Sequence, residues 1–275
     1  MRIKQINSWT VNIFLSLSAI IAIFPIYMAV INSFKTDGEM FKSFISLPTT
    51  LRFSNYVEAF DRINMVQSSI NSAIVAGIGI MGIVFCASLA GYKLSRTNNK
   101  LSNFIFMLFI ASMLVPFHSI MIPLTRMAKA LHVQGSIYGL AIIYIGLGVN
   151  MAVFLYHGFV KSIPRELEEA AEIDGCNEFQ TFFKIIYPLL IPITVTIGIL
   201  DFLWIWNDFL LTLIMITNAD HNTLILSTNV LFGEYNKDWA LILASLVLTA
   251  VPVVVMYTFF QRYIMEGITE GAVKG

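Results

Sequence analysis

Lys161-Ser-Ile-Pro-Arg-Glu-Leu-Glu-Glu-Ala-Ala-Glu-Ile-Asp-Gly175 is the most highly charged stretch of a chain that is otherwise apolar. Its local signals spell a short helix. Ser162 can cap, Pro164 suits a first turn, and Glu166, Glu168 and Glu169 sit where the positive end of a helix dipole favours acids. Gly175 stops it, because glycine adopts the left-handed backbone that other residues avoid. At about 100° per residue, Ile163, Leu167, Ala170 and Ala171 form one stripe, with Glu168, Glu169 and Glu172 opposite. The alanines leave a shallow face that another protein's groove can accept closely. A helix lying on the lipid surface, with Glu169 paired to Arg165 at i, i+4, fits the same pattern equally well.

Outward from this stretch the chain turns apolar on both sides. Of 275 residues, 57% are hydrophobic and 12% charged, and the mean hydropathy is +0.76. An ordinary soluble domain carries roughly 25% charge, so this composition belongs to an integral membrane protein. A crossing needs about 20 apolar residues, and six stretches qualify: about 11–31, 69–92, 104–123, 137–160, 185–216 and 239–260. The fifth is too long for one straight crossing and holds Pro188 and Pro192, which places its first turns at the interface and its end in an outer loop. The run from Val11 to Ile31 exceeds the core of a signal peptide and has no cleavage site after it, so it reads as a retained first span. The expected fold is an all-α membrane protein, with residues 1–275 forming one transmembrane domain of six helices.

Six spans put both termini on one side, and positive charge decides which. With the N-terminus inside, the inner segments hold 10 of the Lys and Arg residues and the outer ones 7, although the outer loops 32–68 and 217–238 are long. The expected topology is N-in, C-in. The charged helix around Glu169 then lies in the cytoplasm between spans four and five, in a connection covering 161–184.

Several function classes fall away. Lys plus Arg is 17 and Asp plus Glu is 17, so there is no basic field for nucleic acid. Gly77-Ile-Gly79-Ile-Met-Gly82 fits a dinucleotide fingerprint, but no acid lies between Asp61 and Glu166, and the expected reading is small residues that let membrane helices approach. Cys86 and Cys176 lack zinc-site spacing. His118, His132, His157 and His221 lie in separate segments, so no metal site is expected. No nucleophile with its base can be assembled, and no phosphate-loop motif is present, so the chain is read as non-catalytic.

The polar residues of the fifth span carry the substrate question. Asp201 within a span costs about 2.5–3.5 kcal/mol on insertion scales and should face protein or water. Trp204, Trp206, Asn207 and Asp208 follow; aromatic rings stack on sugars while amides and carboxylates match hydroxyls. An interfacial aromatic belt explains the tryptophans as well.

Glu169-Ala170-Ala171, then Gly175, Ile185 and Pro188, resembles the EAA loop of the membrane subunits of ATP-binding-cassette importers. Tyr187 departs from it, standing where leucine is usual. Leu51-Arg-Phe-Ser-Asn55-Tyr56-Val-Glu-Ala-Phe60, Trp204-Ile-Trp206-Asn207-Asp208-Phe209 and Gly271-Ala-Val-Lys-Gly275 resemble segments of the shorter permease of maltose-type carbohydrate importers, over nearly the whole chain.

The resemblance implies a permease subunit in the bacterial cytoplasmic (inner) membrane, partnered by a second permease, an ATPase dimer and an extracytoplasmic solute-binding protein. ATP and Mg would be bound by the ATPases and no cofactor by this chain. Glu169, Ala170, Ala171, Asp174 and Gly175 would couple to an ATPase cleft as a coupling helix. Gly271, Ala272, Val273, Lys274 and Gly275 would touch the ATPases too. Asn218, Asp220, His221 and Asn222 would meet the binding protein. The competing expectations are a stand-alone ion-coupled transporter, for which only Asp201 lies deep in a span, and an importer of the same class for a non-sugar solute.

Overall fold

The computed structural model describes residues 8–232 and 238–272, and the described residues are helical with no strand. The helices used below are α1 (Ser8–Ser33), α2 (Asp37–Lys42), α3 (Ser54–Arg62), α4 (Met65–Arg96), α5 (Lys100–Met113), α6 (Phe117–Ala130), α7 (Ile137–Val160), α8 (Glu166–Ile173), α9 (Glu178–Leu189), α10 (Ile191–Asn207), α11 (Leu210–Met215), α12 (Leu224–Ser227) and α13 (Trp239–Ala272). Among the described residues, four helices are individually long and apolar enough to cross a membrane, and two bent pairs bring the count to as many as six.

Both bends have proline at the joint. Where hydropathy suggests one crossing over 104–123, α5 and α6 meet at 104°. Pro116 has no N–H to continue the helix and disfavours helical backbone at Val115. Between α9 and α10 the axis turns by 73° at Leu190, between Pro188 and Pro192, and α9 is further loosened by a π-helical turn over Phe182–Ile186.

The chain resolves into two compact units. The first comprises residues 1–65 and 227–252. In it α1 is apolar on every side and leaves Phe14, Ile20 and Ile21 exposed, a surface suited to lipid or another apolar helix. The connection that follows is folded on itself. Lys35 is fully buried, and its Nζ donates to Asn32 Oδ1 and the Ser43 carbonyl, both at 2.9 Å. Asn55 Nδ2 donates to the carbonyls of Ser33 and Lys35 at 2.8 and 2.9 Å. Thr36 and Glu39 form a capping box that starts α2.

The second unit comprises residues 66–226 and 253–275 and holds the larger core. Here α4 and α7 approach closely. A Cβ on Gly91 would stand 2.6 Å from that of Tyr156 and 3.2 Å from the Val153 carbonyl, so only glycine permits this contact. At Gly82 a Cβ would meet only the side chain of Ile145, and Gly77 faces open space. Tyr156 donates to Thr194 Oγ1 at 2.7 Å and joins α7 to α10, a bond worth on average about 0.6 kcal/mol between membrane helices.

Candidate coupling helix and translocation cavity

α8 begins at Glu166 without a side-chain cap, because Ser162 Oγ donates instead to the Phe159 carbonyl at 2.8 Å and closes the end of α7. Its other end is firmly set. Gly175 has φ of +84°, its N–H donates to the Glu172 carbonyl at 3.0 Å, and the Cys176 N–H reaches the Ala171 carbonyl at 2.9 Å. These two bonds make a complete Schellman stop. Asn177 and Gln180 then form a capping box that launches α9 immediately.

The faces of α8 differ from the simple periodic reading. Ala171 is buried and Glu168 turns inward, while Leu167 is 41% and Ile173 86% exposed. Ala170, Glu166, Glu169, Glu172 and Asp174 are exposed with them. Glu168 thus leaves the acidic side where periodicity put it, because Arg96 at the end of α4 takes it: Nε to Oε1 is 2.6 Å. Among the described residues no ion pair joins Arg165 to Glu169. The outcome is a short rigid helix fixed along one edge, displaying a small apolar patch rimmed by carboxylates. Tyr187, the residue that departs from the EAA pattern, packs its ring 5.9 Å from Phe182 and 6.3 Å from Phe183 within α9 itself.

The polar residues of the fifth span separate into two groups. Trp204, Asn207 and Asp208 line a cavity of about 790 Å³ with Asn150, Leu147 and Phe209. Trp204 stands edge-on to Tyr144, with ring centroids 5.3 Å apart. Asp208 is held from both sides: its Oδ2 accepts from Tyr144 Oη at 3.1 Å and its Oδ1 from the Leu211 N–H at 3.2 Å, which starts α11. Asn207, also at the cavity wall, donates from Nδ2 to the Leu203 carbonyl at 2.7 Å. Asp201 and Trp206 are instead buried among protein atoms, and Asp201 Oδ2 and Trp206 Nε1 have no hydrogen-bond partner among the described residues. Asn150 is a lining residue that the sequence reading passed over, though an amide inside an apolar span is itself a signal.

The segment after α11 is pinned rather than loose. Asn218 Oδ1 caps the turn at Asp220, and His221 Nδ1 meets the Gly135 carbonyl at 2.7 Å. Asn71 Nδ2 donates to the carbonyls of Asp220 and Asn222 at 2.8 and 3.0 Å. The exposed side chains there are Asn218 and Asp220, with His221 and Asn222 half-buried. At the C-terminus, Gly271 and Ala272 end α13, and Val273, Lys274 and Gly275 lie outside the described residues.

A multi-pass helical membrane protein with a short polar helix set between two apolar ones has the layout of a transport permease. Residues 82–269 match the family described as binding-protein-dependent transport system inner membrane component. The chain belongs to that family and is a membrane-spanning permease subunit of an importer. Its relatives include the "Probable starch degradation products transport system permease protein AmyC" of Thermoanaerobacterium thermosulfurigenes, 40% identical over 91% of both chains. The melibiose/raffinose/stachyose import permease protein MelC of Bacillus subtilis is 36% identical over 94% of this chain and 95% of its own. The fold matches a chain in the crystal structure of a bacterial ABC transporter involved in the import of the acidic polysaccharide alginate, with a TM-score of 0.82 at 20% identity, covering 93% of this chain and 95% of that one.

Proposed function

We propose that this permease carries a sugar or oligosaccharide inward, as one half of a translocation path shared with a second permease, in a bacterial inner membrane with both termini in the cytoplasm. The observation that carries the reading is the arrangement of α8, fixed to its own protein along Glu168 and Ala171 and open along Leu167, Ala170 and Ile173. Such a helix fits a cleft of an ATPase subunit. The surrounding carboxylates Glu169, Glu172 and Asp174 would meet that subunit's basic groups and select it over other surfaces.

ATP and Mg belong to the ATPase dimer, so this chain supplies no catalytic group. Closure of the ATPases on nucleotide would move α8 as a rigid body and bias the membrane helices between inward-open and outward-open arrangements, which is a coupling free energy between two distinct sites. The whole of residues 1–275 would act as that one transmembrane domain, with the tail Gly271–Gly275 as a second point of ATPase contact.

The sugar assignment is supported by the names of the relatives and by the cavity. An indole ring at Trp204 offers an apolar face, and the amides of Asn150 and Asn207 offer hydroxyl partners. Asn218, Asp220, His221 and Asn222 stand on a pinned turn that suits contact with a solute-binding protein. The test is native mass spectrometry of the tagged chain after gentle extraction from its own membrane. One second permease and two ATPase copies are expected. Recovery as a monomer or a homo-oligomer without ATPase would contradict the proposal, and competition of uptake by peptides but not by oligosaccharides would move the solute out of the sugar class.

A further inference from the structure

The last turn and a half of α4 gathers three polar side chains onto the connection that carries α8. Tyr92 and Arg96 are four residues apart and so share a face of α4, with Lys93 beside them. Arg96 is the centre. Its Nε donates to Glu168 Oε1 at 2.6 Å, its Nη2 stands 2.6 Å from the same oxygen as an ion pair, and Nη2 donates to the Ile163 carbonyl at 2.9 Å. One guanidinium therefore holds the chain on both sides of Pro164, at the approach to α8 and within its first turn. The second carboxylate oxygen of Glu168 is occupied too, accepting from Tyr92 Oη at 3.0 Å. A second pair, Lys93 Nζ with the two oxygens of Glu178 at 2.9 and 2.8 Å, reaches the first residue of α9 beyond Gly175.

The two pairs are not equivalent. The side chains of Lys93 and Glu178 are 60% and 80% exposed, whereas those of Arg96 and Glu168 are 12% and 18% exposed. Water and salt screen the first, and pairs of that kind contribute little. The second is sheltered, forked and satisfied at both carboxylate oxygens, so removing either partner leaves a charge without its counterpart in a poorly solvated place. By contrast Lys161 and Arg165, which lie close by, form no ion pair among the described residues. The Arg165 guanidinium instead donates from Nη2 to the Arg96 carbonyl at 3.5 Å, a long contact back to the same end of α4.

We propose that Arg96 and Glu168 are positioning residues that latch α8 to the end of α4, making α4 the span that receives the movement of the coupling helix directly, with Tyr92 orienting the carboxylate. This rests on the docking role of α8 proposed above and names the element downstream of it. Without the contact between Arg96 and Glu168 the displacement of α8 would reach the membrane helices through its chain connections, 161–165 to α7 and 174–177 to α9, and not through α4. A latch at Glu168 short-circuits both.

The test is hydrogen–deuterium exchange of the whole complex in nanodiscs, with and without Mg-ATP and vanadate, comparing wild type with Arg96→Gln, Glu168→Gln and the exchanged pair Arg96→Glu with Glu168→Arg. In wild type, nucleotide should alter exchange both in 166–173 and in the last turns of α4, 90–96. In either single variant the response at 166–173 should persist while that at 90–96 falls by at least about ten-fold, since small local openings dominate exchange there. The exchanged pair should recover part of it, which a variant that is merely misfolded would not do. An undiminished response at 90–96 in both single variants would overturn the latch and leave the docking role standing. No response at 166–173 in wild type would overturn the docking role and the latch together.

Discussion

The two polar connections of this chain, 34–64 and 161–177, each commit one charged residue to their own protein, Lys35 to acceptors close by in sequence and Glu168 to a distant helix. The first holds Lys35 on two local acceptors and spends both amide hydrogens of Asn55 on the backbone, while Lys42, Arg52, Glu58, Asp61 and Arg62 stay exposed. It leaves apolar residues outside, with Leu47 70%, Phe53 62% and Val57 64% exposed. The second commits one acid, Glu168, to its own protein and displays the others around a patch of Leu167, Ala170 and Ile173. A surface like the second, a small apolar patch rimmed by acids, suits a partner carrying basic groups. The difference separates a scaffold from a contact.

The sharpest way to break this comparison is at Gly175. Its φ of +84° is strained for any residue with a Cβ, although nothing stands within 4 Å of where that atom would be. A Gly175→Trp variant should insert and assemble its own fold, yet lose at least about ten-fold in uptake, because the stop that aims α8 is displaced. Normal uptake would dissolve the contrast between the two connections.

Effects on the first connection should appear as stability and not as coupling. Lys35→Met removes a buried cation and orphans Asn32 Oδ1 and the Ser43 carbonyl, so the expected loss is about 3 kcal/mol in denaturant unfolding in detergent. Asn55→Leu abandons two backbone carbonyls and should cost about 2 kcal/mol in the same measurement. Neither should change the amount of ATPase recovered per folded chain.

Smaller still is a pH effect. Glu39 is held below its ordinary carboxylate value, first by the Thr49 hydroxyl and then by the Thr36 backbone N–H. A depressed value stabilises the folded form above the usual range, and this support is lost as pH falls through the folded value. Exchange of the amides of 36–42 should therefore rise selectively on acidification below the ordinary carboxylate value of 4.5. The smallest effect is expected from Arg62→Ala, which removes a pair with Glu58 whose side chains are 57% and 50% exposed; stability should move by less than about 0.5 kcal/mol.

Local signals made the second connection legible. Four acids, a proline and a terminal glycine are enough to place a short helix, and it runs from Glu166 to Ile173. Which acid faces inward was not legible, because the partner of Glu168 lies 72 residues away at Arg96 and periodicity alone cannot see it. Hydropathy also joined α5 to α6 across Pro116, since an apolar average is blind to a corner. In the fifth span, composition grouped Asp201 with Trp204, Asn207 and Asp208, yet the helix ends at Asn207 and the backbone turns extended at Asp208. That turn presents the last residues to the cavity and leaves Asp201, two turns earlier, among packed side chains.

The central claim, that α8 is an interface on one side only, is tested most directly by a photocrosslinking residue placed at Ala170 or, separately, at Ala171 in the assembled complex. Ala170 is exposed and Ala171 is 2% exposed, though they are adjacent. A crosslink from position 170 to an ATPase subunit, with none from position 171, is the predicted result. Absence of any ATPase adduct from position 170 in a complex that contains the ATPase would contradict the account.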